Sequence, residues 1–323
     1  MSTKSCYKLD YLDLKILSLI DQNARENIST IAKKLKTSQQ VISYRLQNLE
    51  AMEIIKGYIS CIDYSVLGNT IYKIYLKLNS TNESKQKIID YLRSKKQTIK
   101  IIEVYSSNWD LIVKFYAENL SESYVYIKNL KINFKDEIIN TDYFILLEKT
   151  SFSRDYFTEK YRRLNNKIEY KFYDKKIEKL NTIDKKILYN IKNHARISSV
   201  FLAKEIESTP NTVLSRLKQL KCCGLIKSYR PIFNFRKLPF SSYKILLKIN
   251  PKKDHKEEEL ITFFENNTNI INIRKFIGPW DLEIDLETTS KEEVFGFINI
   301  LRSNFFEIVK DVNLLDVAFE YYC

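Results

Sequence analysis

The chain has 323 residues, with 53 Lys+Arg against 40 Asp+Glu (net +13) and only 5 Gly and 5 Pro beside 22 Tyr. Its length points to about two domains, and its 44% hydrophobic content is that of a globular protein. It contains neither G-x-G-x-x-G nor G-x-x-x-x-G-K-[ST], which excludes both common phosphate-cradling nucleotide loops.

Cys6, Cys61, Cys222, Cys223 and Cys323 are odd in number and form no C-x-x-C, so a disulfide framework or structural zinc is not expected. His194 and His255 stand apart from them, and no metal or cofactor is expected. Met1–Lys8 lacks an apolar run and no stretch of about 18 apolar residues follows, so a cytoplasmic chain with no membrane partner is expected. The bias toward Lys, Ile, Asn and Tyr is also what an AT-rich genome produces. The location of the charge therefore matters more than its total.

The chain is one unit written twice. At an offset of 171 residues, Leu9–Tyr58 and Leu180–Tyr229 share 16 identities in 50 ungapped pairs, including Asp13/Asp184, Ala24-Arg25/Ala195-Arg196 and Arg45-Leu46/Arg216-Leu217. Trp109-Asp110 falls on Trp280-Asp281 at the same offset.

In chain order, Leu12, Ile16, Leu19 and Ile20 form the apolar stripe of a first helix. A short second helix is expected near residues 29–35. A third opens at Thr37 or Ser38, with Ile42, Leu46 and Leu49 inward. Copy two repeats this with Val213, Leu217 and Leu220 after Thr209-Pro210, an N-cap and a first-turn proline. Each trio reads as a helix-turn-helix.

Alternation follows. Tyr72, Ile74, Leu76 and Leu78 oppose Lys73 and Lys77, as Tyr243, Ile245, Leu247 and Ile249 oppose Lys244 and Lys248, which predicts half-buried strands. In copy one a helix near 83–94, two strands flanking Trp109, a helix near 121–131 and a strand near 138–147 complete a ferredoxin-like βαββαβ module.

Asp13-x2-Ile16-Leu17, Asn23-Ala24-Arg25, Ile31-Ala32, Ser38, Arg45-Leu46-x2-Leu49 and Ile54-Ile55-Lys56-Gly57-Tyr58 resemble the helix-turn-helix signature of Lrp/AsnC transcription regulators. Copy two resembles it through Asp184, Ala195-Arg196, Ala203, Arg216-Leu217-x2-Leu220 and Gly224-Leu225-Ile226-Lys227. The resemblance implies an archaeal, α+β regulator of double-stranded DNA, with two winged helix-turn-helix modules alternating with two ferredoxin-like βαββαβ sensor modules. It also implies modulation by an amino acid or other small effector, and dimerisation through the sheet modules.

The expected boundaries are 1–68 (first helix-turn-helix), 69–148 (first sensor-like module), 149–179 (charged linker), 180–238 (second helix-turn-helix) and 239–323 (second sensor-like module). The duplication permits an intramolecular pseudo-dimer as well as a homodimer. Two departures stand out. Glu53 replaces the glycine expected after the third helix, which leads us to expect a different helix end in copy one. Copy one also reads Ser107-Asn108-Trp109-Asp110 where copy two has Gly278-Pro279-Trp280-Asp281.

Divided by these boundaries, the net charges are +2, +2, +5, +9 and −5. Codon bias does not load one module with +9 and leave its neighbour acidic, so residues 180–238 read as the main polyanion anchor. A recognition helix presents its N-terminal residues to base edges. The candidate DNA contacts are therefore Gln39, Gln40, Ser43, Tyr44, Arg45 and Gln47 in copy one. In copy two they are Asn211, Thr212, Ser215, Arg216 and Lys218, with Lys227 and Arg230 for the backbone.

Arg45 and Arg216 serve equally well as phosphate contacts or as internal ion pairs to Asp13 and Asp184. Ser107, Trp109, Asp110, Gly278, Trp280 and Asp281 are the candidate effector residues by resemblance; packing aromatics with turn carboxylates are the alternative. Cys222-Cys223, matching Ala51-Met52, read as helix packing.

Two other functions compete. Sirohaem decarboxylases are similar in their two-module architecture, and that chemistry needs a histidine-bearing pocket; the sheet modules offer only His255. An RNA-binding or scaffolding role is the third reading.

Overall fold

The computed structural model describes residues 9–158, 167–172 and 179–323, with the backbone alone at 253–255. Copy one begins with α1 (Tyr11–Gln22), α2 (Ile28–Leu35) and α3 (Gln39–Ala51). Asp10 caps α1 in a reciprocal box with Asp13, and the Ser38 hydroxyl accepts from the Val41 amide to start α3. Strand β1 (Ile55–Ile62) follows, then β2 (Thr70–Leu78), α4 (Asn82–Arg93), β3 (Thr98–Tyr105), β4 (Leu111–Ala117), α5 (Leu120–Asn133) and β5 (Ile138–Ser151).

A short strand, β6 (Ile168–Lys171), precedes copy two. That copy runs α6 (Thr182–Ile191), α7 (Ser199–Glu205), α8 (Pro210–Cys222), β7 (Ile226–Phe233), β8 (Ser241–Ile249), α9 (Glu257–Asn266), β9 (Ile270–Ile277), β10 (Leu282–Thr288), α10 (Lys291–Asn304) and β11 (Val309–Tyr322). The helical stripes bury as their spacing requires. Ile16, Leu17 and Ile20 pack with Ile42, Leu46 and Leu49, and Ile187 and Ile191 with Val213, Leu217 and Leu220. Each such side chain contributes about 1.5–3 kcal/mol on leaving water.

The two copies are joined by reciprocal pairing. Strand β1 pairs antiparallel with β7, and Ile59 lies opposite Arg230, its own counterpart at the 171-residue offset. A pseudo-twofold axis therefore passes through that pair. The last strand of each sheet module is shared. β5 pairs with β2 over its first half (Ile74 opposite Tyr143) and with β9 over its second (Thr150 opposite Ile273). β11 pairs with β8 (Leu314 opposite Ile245) and then with β3 (Tyr321 opposite Ile101).

Each long strand has a register shift where it changes partner, between Leu146 and Glu148 and between Val317 and Phe319, positions 171 apart. Such irregularities bend a strand and increase its twist. The ring β2-β4-β3-β11-β8-β10-β9-β5 closes on β2, and β6 lies on the free edge of β5.

Closure corrects the expectation of half-buried strands. Tyr72, Ile74, Leu76 and Leu78 pack under helices α4 and α5. The opposite face looks into the barrel, so Lys73 and Lys244 are only 2% exposed. Residues 149–179, expected as a charged linker, carry the end of β5, the buried Phe157 and strand β6, while 159–166 and 173–178 lie outside the described residues.

The helix ends also differ from expectation. Glu53 adopts φ 54°, the left-handed conformation of its counterpart Gly224 at φ 79°. Copy one thus ends α3 as copy two ends α8, without the residue suited to that conformation. The Glu53 carboxylate pairs with Lys237 at 2.9 Å.

Candidate nucleic-acid interface and sensor loops

The axis fixes how the two helix-turn-helix modules meet. The Arg25 guanidinium donates to the Ala195 carbonyl (2.6 Å) and Arg196 donates to the Ala24 carbonyl (2.8 Å). The Ala24 amide donates to the Tyr229 carbonyl and the Ala195 amide to the Tyr58 carbonyl, both at 2.9 Å. Arg25 also lies over the Tyr229 ring at 5.4 Å and Arg196 over the Tyr58 ring at 5.2 Å. The Ala-Arg identity of the repeat is thus an interface that the chain makes with itself. Sequence reasoning saw its repetition but did not assign its role.

On the third helices, Gln39, Gln40, Tyr44 and Gln47 are exposed in copy one, as are Asn211, Ser215 and Lys218 in copy two; Ser43 and Thr212 are partly covered. The Thr212 hydroxyl lies 2.8 Å from that of the cap residue Thr209.

Arg45 and Arg216 make the internal pairs. Arg45 donates to Asp10 (2.5 Å) and Asp13 (2.9 Å), and Arg216 Nε donates to Asp184 at 2.7 Å. Asp13 and Asp184 are the third residues of helices α1 and α6 and are almost fully buried, so each arginine clamps the third helix to the start of the first. These charge-assisted bonds are the stronger kind.

Two backbone-contact assignments are corrected. Arg230 turns inward to Asp21 (2.8 Å), which also holds Arg154 (2.7 Å). Lys227 lies 3.8 Å from Asp63 and over the Tyr170 ring. Both strand residues face the body of the protein because the β1–β7 ribbon lies over the barrel. Cys222 and Cys223 are exposed, which corrects the packing role expected for them.

The tryptophans and aspartates of the sensor loops make internal contacts in both copies. Trp109 is 5% exposed, packs edge-on against Tyr75 and donates to Asp142 at 2.9 Å. Trp280 packs against the same interior cluster. Asp110 accepts from the Leu78 amide (2.8 Å) and Asp281 from the Ile249 amide (2.7 Å), and they sit 3.3 and 3.2 Å from Lys77 and Lys248. The alternative of packing aromatics with turn carboxylates is therefore the arrangement seen.

Ser107 is exposed at its loop. A Cβ on Gly278 would come within 2.8 Å of the Phe144 ring and of the Tyr143 carbonyl, so close approach of β5 requires that glycine.

The barrel interior carries ionic groups that the alternation did not foretell. Glu283 accepts from Lys73 (2.6 Å), Arg274 (2.6 Å), Lys244 and Tyr75. Asp285 accepts from Lys244 (2.5 Å) and Arg274 (2.7 Å). The surrounding cations hold both carboxyls below their usual range even though burial opposes ionisation. Arg154 bridges Asp21 and Glu287, and Lys100 pairs with Glu320 at 2.6 Å. In sequence the only trace was lysine alternating with apolar residues, which reads as a solvated face until the second sheet is known.

A family model described as winged helix-turn-helix DNA-binding matches residues 9–56 and 180–227, one match in each copy. The HTH-type transcriptional regulator LysM of Sulfurisphaera tokodaii is 30% identical over 116 residues, 35% of this chain and 78% of that protein. The HTH-type transcriptional regulator FL11 of Pyrococcus horikoshii is 25% identical over 125 residues, 38% of this chain and 81% of that protein. The crystal structure of the siroheme decarboxylase NirDL aligns with TM-score 0.61 over 96% of this chain and 92% of that one. Its sequence identity is 12%, so the likeness is one of fold.

Among the described residues no helix is long and apolar enough to cross a membrane. Two winged helix-turn-helix modules about an internal twofold and two βαββαβ modules closed into one barrel, with these relatives, place the chain in the Lrp/AsnC family of DNA-binding transcription regulators, as a tandem duplication in one polypeptide.

Proposed function

We propose that one chain acts as its own pseudo-dimer and presents two unlike recognition helices to an asymmetric double-stranded site. The observation that carries this reading is the reciprocal Arg25–Ala195 and Arg196–Ala24 contact, which relates the heads as a family dimer would relate identical ones.

The exposed residues then differ by head. Gln39, Gln40 and Gln47 suit bidentate pairing with adenine, and Tyr44 suits a phosphate or a thymine methyl. Asn211 suits adenine, while Ser215 and Lys218 suit mixed base and phosphate contacts. Arg45 and Arg216 reach phosphate only with the nitrogens left over from their internal pairs. Selection of bound fragments from random duplex DNA tests the proposal. An enriched motif with two different halves is expected. A perfect palindrome, or no motif with RNA binding intact, overturns it.

An amino-acid effector belongs to the same proposal, acting on the sheet modules. A thermal-shift panel of the common amino acids is expected to single out one or a few. A uniform null across the panel removes the effector from the reading.

We also infer that the chain works by binding and not by tetrapyrrole decarboxylation. Among the described residues no histidine lines the cavity between the barrel and the β1–β7 ribbon. Titration with an iron uroporphyrin is expected to leave its Soret band unshifted; a saturable shift would reverse the inference.

A further inference from the structure

The duplication has diverged in charge at three interior positions. Lys114 on β4 is the counterpart of Asp285 on β10, Lys149 on β5 that of Glu320 on β11, and Lys192 after α6 that of Asp21 in α1. The three acids are all used. Asp285 holds Lys244 and Arg274, Glu320 holds Lys100, and Asp21 holds Arg154 and Arg230. The three lysines have no carboxylate within ion-pair distance among the described residues.

The register makes the contrast sharper. Lys244 sits opposite Asp285, an ion pair across β8 and β10. The equivalent place in copy one puts Lys73 opposite Lys114, with Lys100 opposite Lys114 on its other side. Lys149 sits opposite Arg274. Like charges directly opposite one another across strands are destabilising.

All three lysines line one cavity of about 180 Å³, between the inner face of the barrel and the β1–β7 ribbon. At roughly 15 Å³ of such space per water, it accepts on the order of ten non-hydrogen atoms. Burial and the surrounding cations push the Lys114 amine down to about 8 and Lys149 well below the usual lysine range. Lys192 is lowered by burial alone. The first two lie against rings, Lys114 over Phe172 at 6.0 Å and Lys149 over Tyr170 at 4.9 Å. A chain that retained three such cations around one cavity gains nothing from them in stability.

We propose that this cavity is a binding site for a small polyanion carrying phosphate or several carboxylates, held between Lys114, Lys149 and Lys192. Lys114 and Lys149 belong to the barrel, whereas Lys192 belongs to the second helix-turn-helix module. A ligand spanning them contacts the barrel and one reading head at once. The proposal stands independently of the operator proposed above, because the ligand is sought without DNA.

The test is calorimetric titration of the full chain at fixed ionic strength with inorganic pyrophosphate and, separately, with citrate. Saturable binding of one of the two is expected, and which one binds tells phosphate from carboxylate chemistry. Lys114→Met with Lys149→Met is expected to weaken it about tenfold or more. Removing unpaired buried charge does not threaten folding, and Lys192→Met supplies a separate variant on a different element. Absence of saturable binding by both anions overturns the proposal, as does binding that survives in both variants unchanged.

Discussion

Removal of Arg25 tests whether the internal twofold is an energetic interface. Arg25→Ala deletes a charge-assisted hydrogen bond to the Ala195 carbonyl at 2.6 Å and a cation–π contact at 5.4 Å. The bond is worth about 1.5–3 kcal/mol net and the ring contact about 0.5–1 kcal/mol, so a loss of about 2–4 kcal/mol is expected. Arg196→Ala removes the same contacts at 2.8 and 5.2 Å, and the two losses should agree within about 0.5 kcal/mol.

The guanidiniums also repel each other, which helps to keep Arg25 below its usual range after burial. The double variant should therefore lose more than the sum, because each single variant already relieves the same repulsion. Native-state hydrogen exchange at the amides of β1 and β7 reads these losses locally, in a chain too large to be presumed two-state. A loss below about 0.5 kcal/mol, the usual surface value, or a marked inequality between the two variants would refute the pseudo-symmetric interface.

Other perturbations follow from the same geometry. Glu53→Gly should stabilise the chain by about 1 kcal/mol in thermal unfolding, since it relieves a left-handed residue and forfeits only an exposed ion pair. Gly278→Ala should cost about 1–3 kcal/mol, because the Tyr143 carbonyl cannot yield as a side-chain tip can; an unchanged melting temperature would show that β5 shifts freely. Lys218→Ala should flatten the log-affinity against log-salt line for DNA by about 0.9 if it meets one phosphate, whereas Gln47→Ala should leave the slope alone.

Lys114 gives a pH signature. Its amine falls to about 8 in the fold from 10.5, so the unfolded chain binds more protons between those values and the native state gains stability as pH rises through that window. The groups facing it are Lys73 on β2, Lys100 on β3, Arg274 on β9, Lys149 on β5, and Cys61 and Asp63 from the ribbon. Lys114→Met should lack its share of that rise in paired urea titrations. Parallel pH profiles would show that the amine is not perturbed.

Much of this protein is legible in one dimension because its determinants are local or repeated. The helical stripes, the caps at Ser38 and Thr209, and the period-two strands follow from spacing. Self-comparison at 171 residues exposes the duplication. The exposed faces of α3 and α8 follow from the same helical phase that buries Ile42, Leu46, Val213 and Leu217.

Elsewhere the identity of the neighbour decided. Arg45 was open between phosphate and Asp13 until the start of α1 was seen beside α3. Arg230 and Lys227 look like a basic strand until the barrel lies beneath them. Trp109 and Gly278 look like a sensor loop until β5 crosses behind it.

The sequence by itself determined two copies, their helical trios and which faces of α3 and α8 stay exposed, since hydrophobic period and capping act within a few residues. Only the tertiary structure decided that both last strands cross over to close one barrel, and that the lysine faces of β2 and β8 look inward. Pairing over a separation of some two hundred residues leaves no local trace. A lysine alternating with isoleucine has the same pattern whether it meets water or the carboxylate of Glu283.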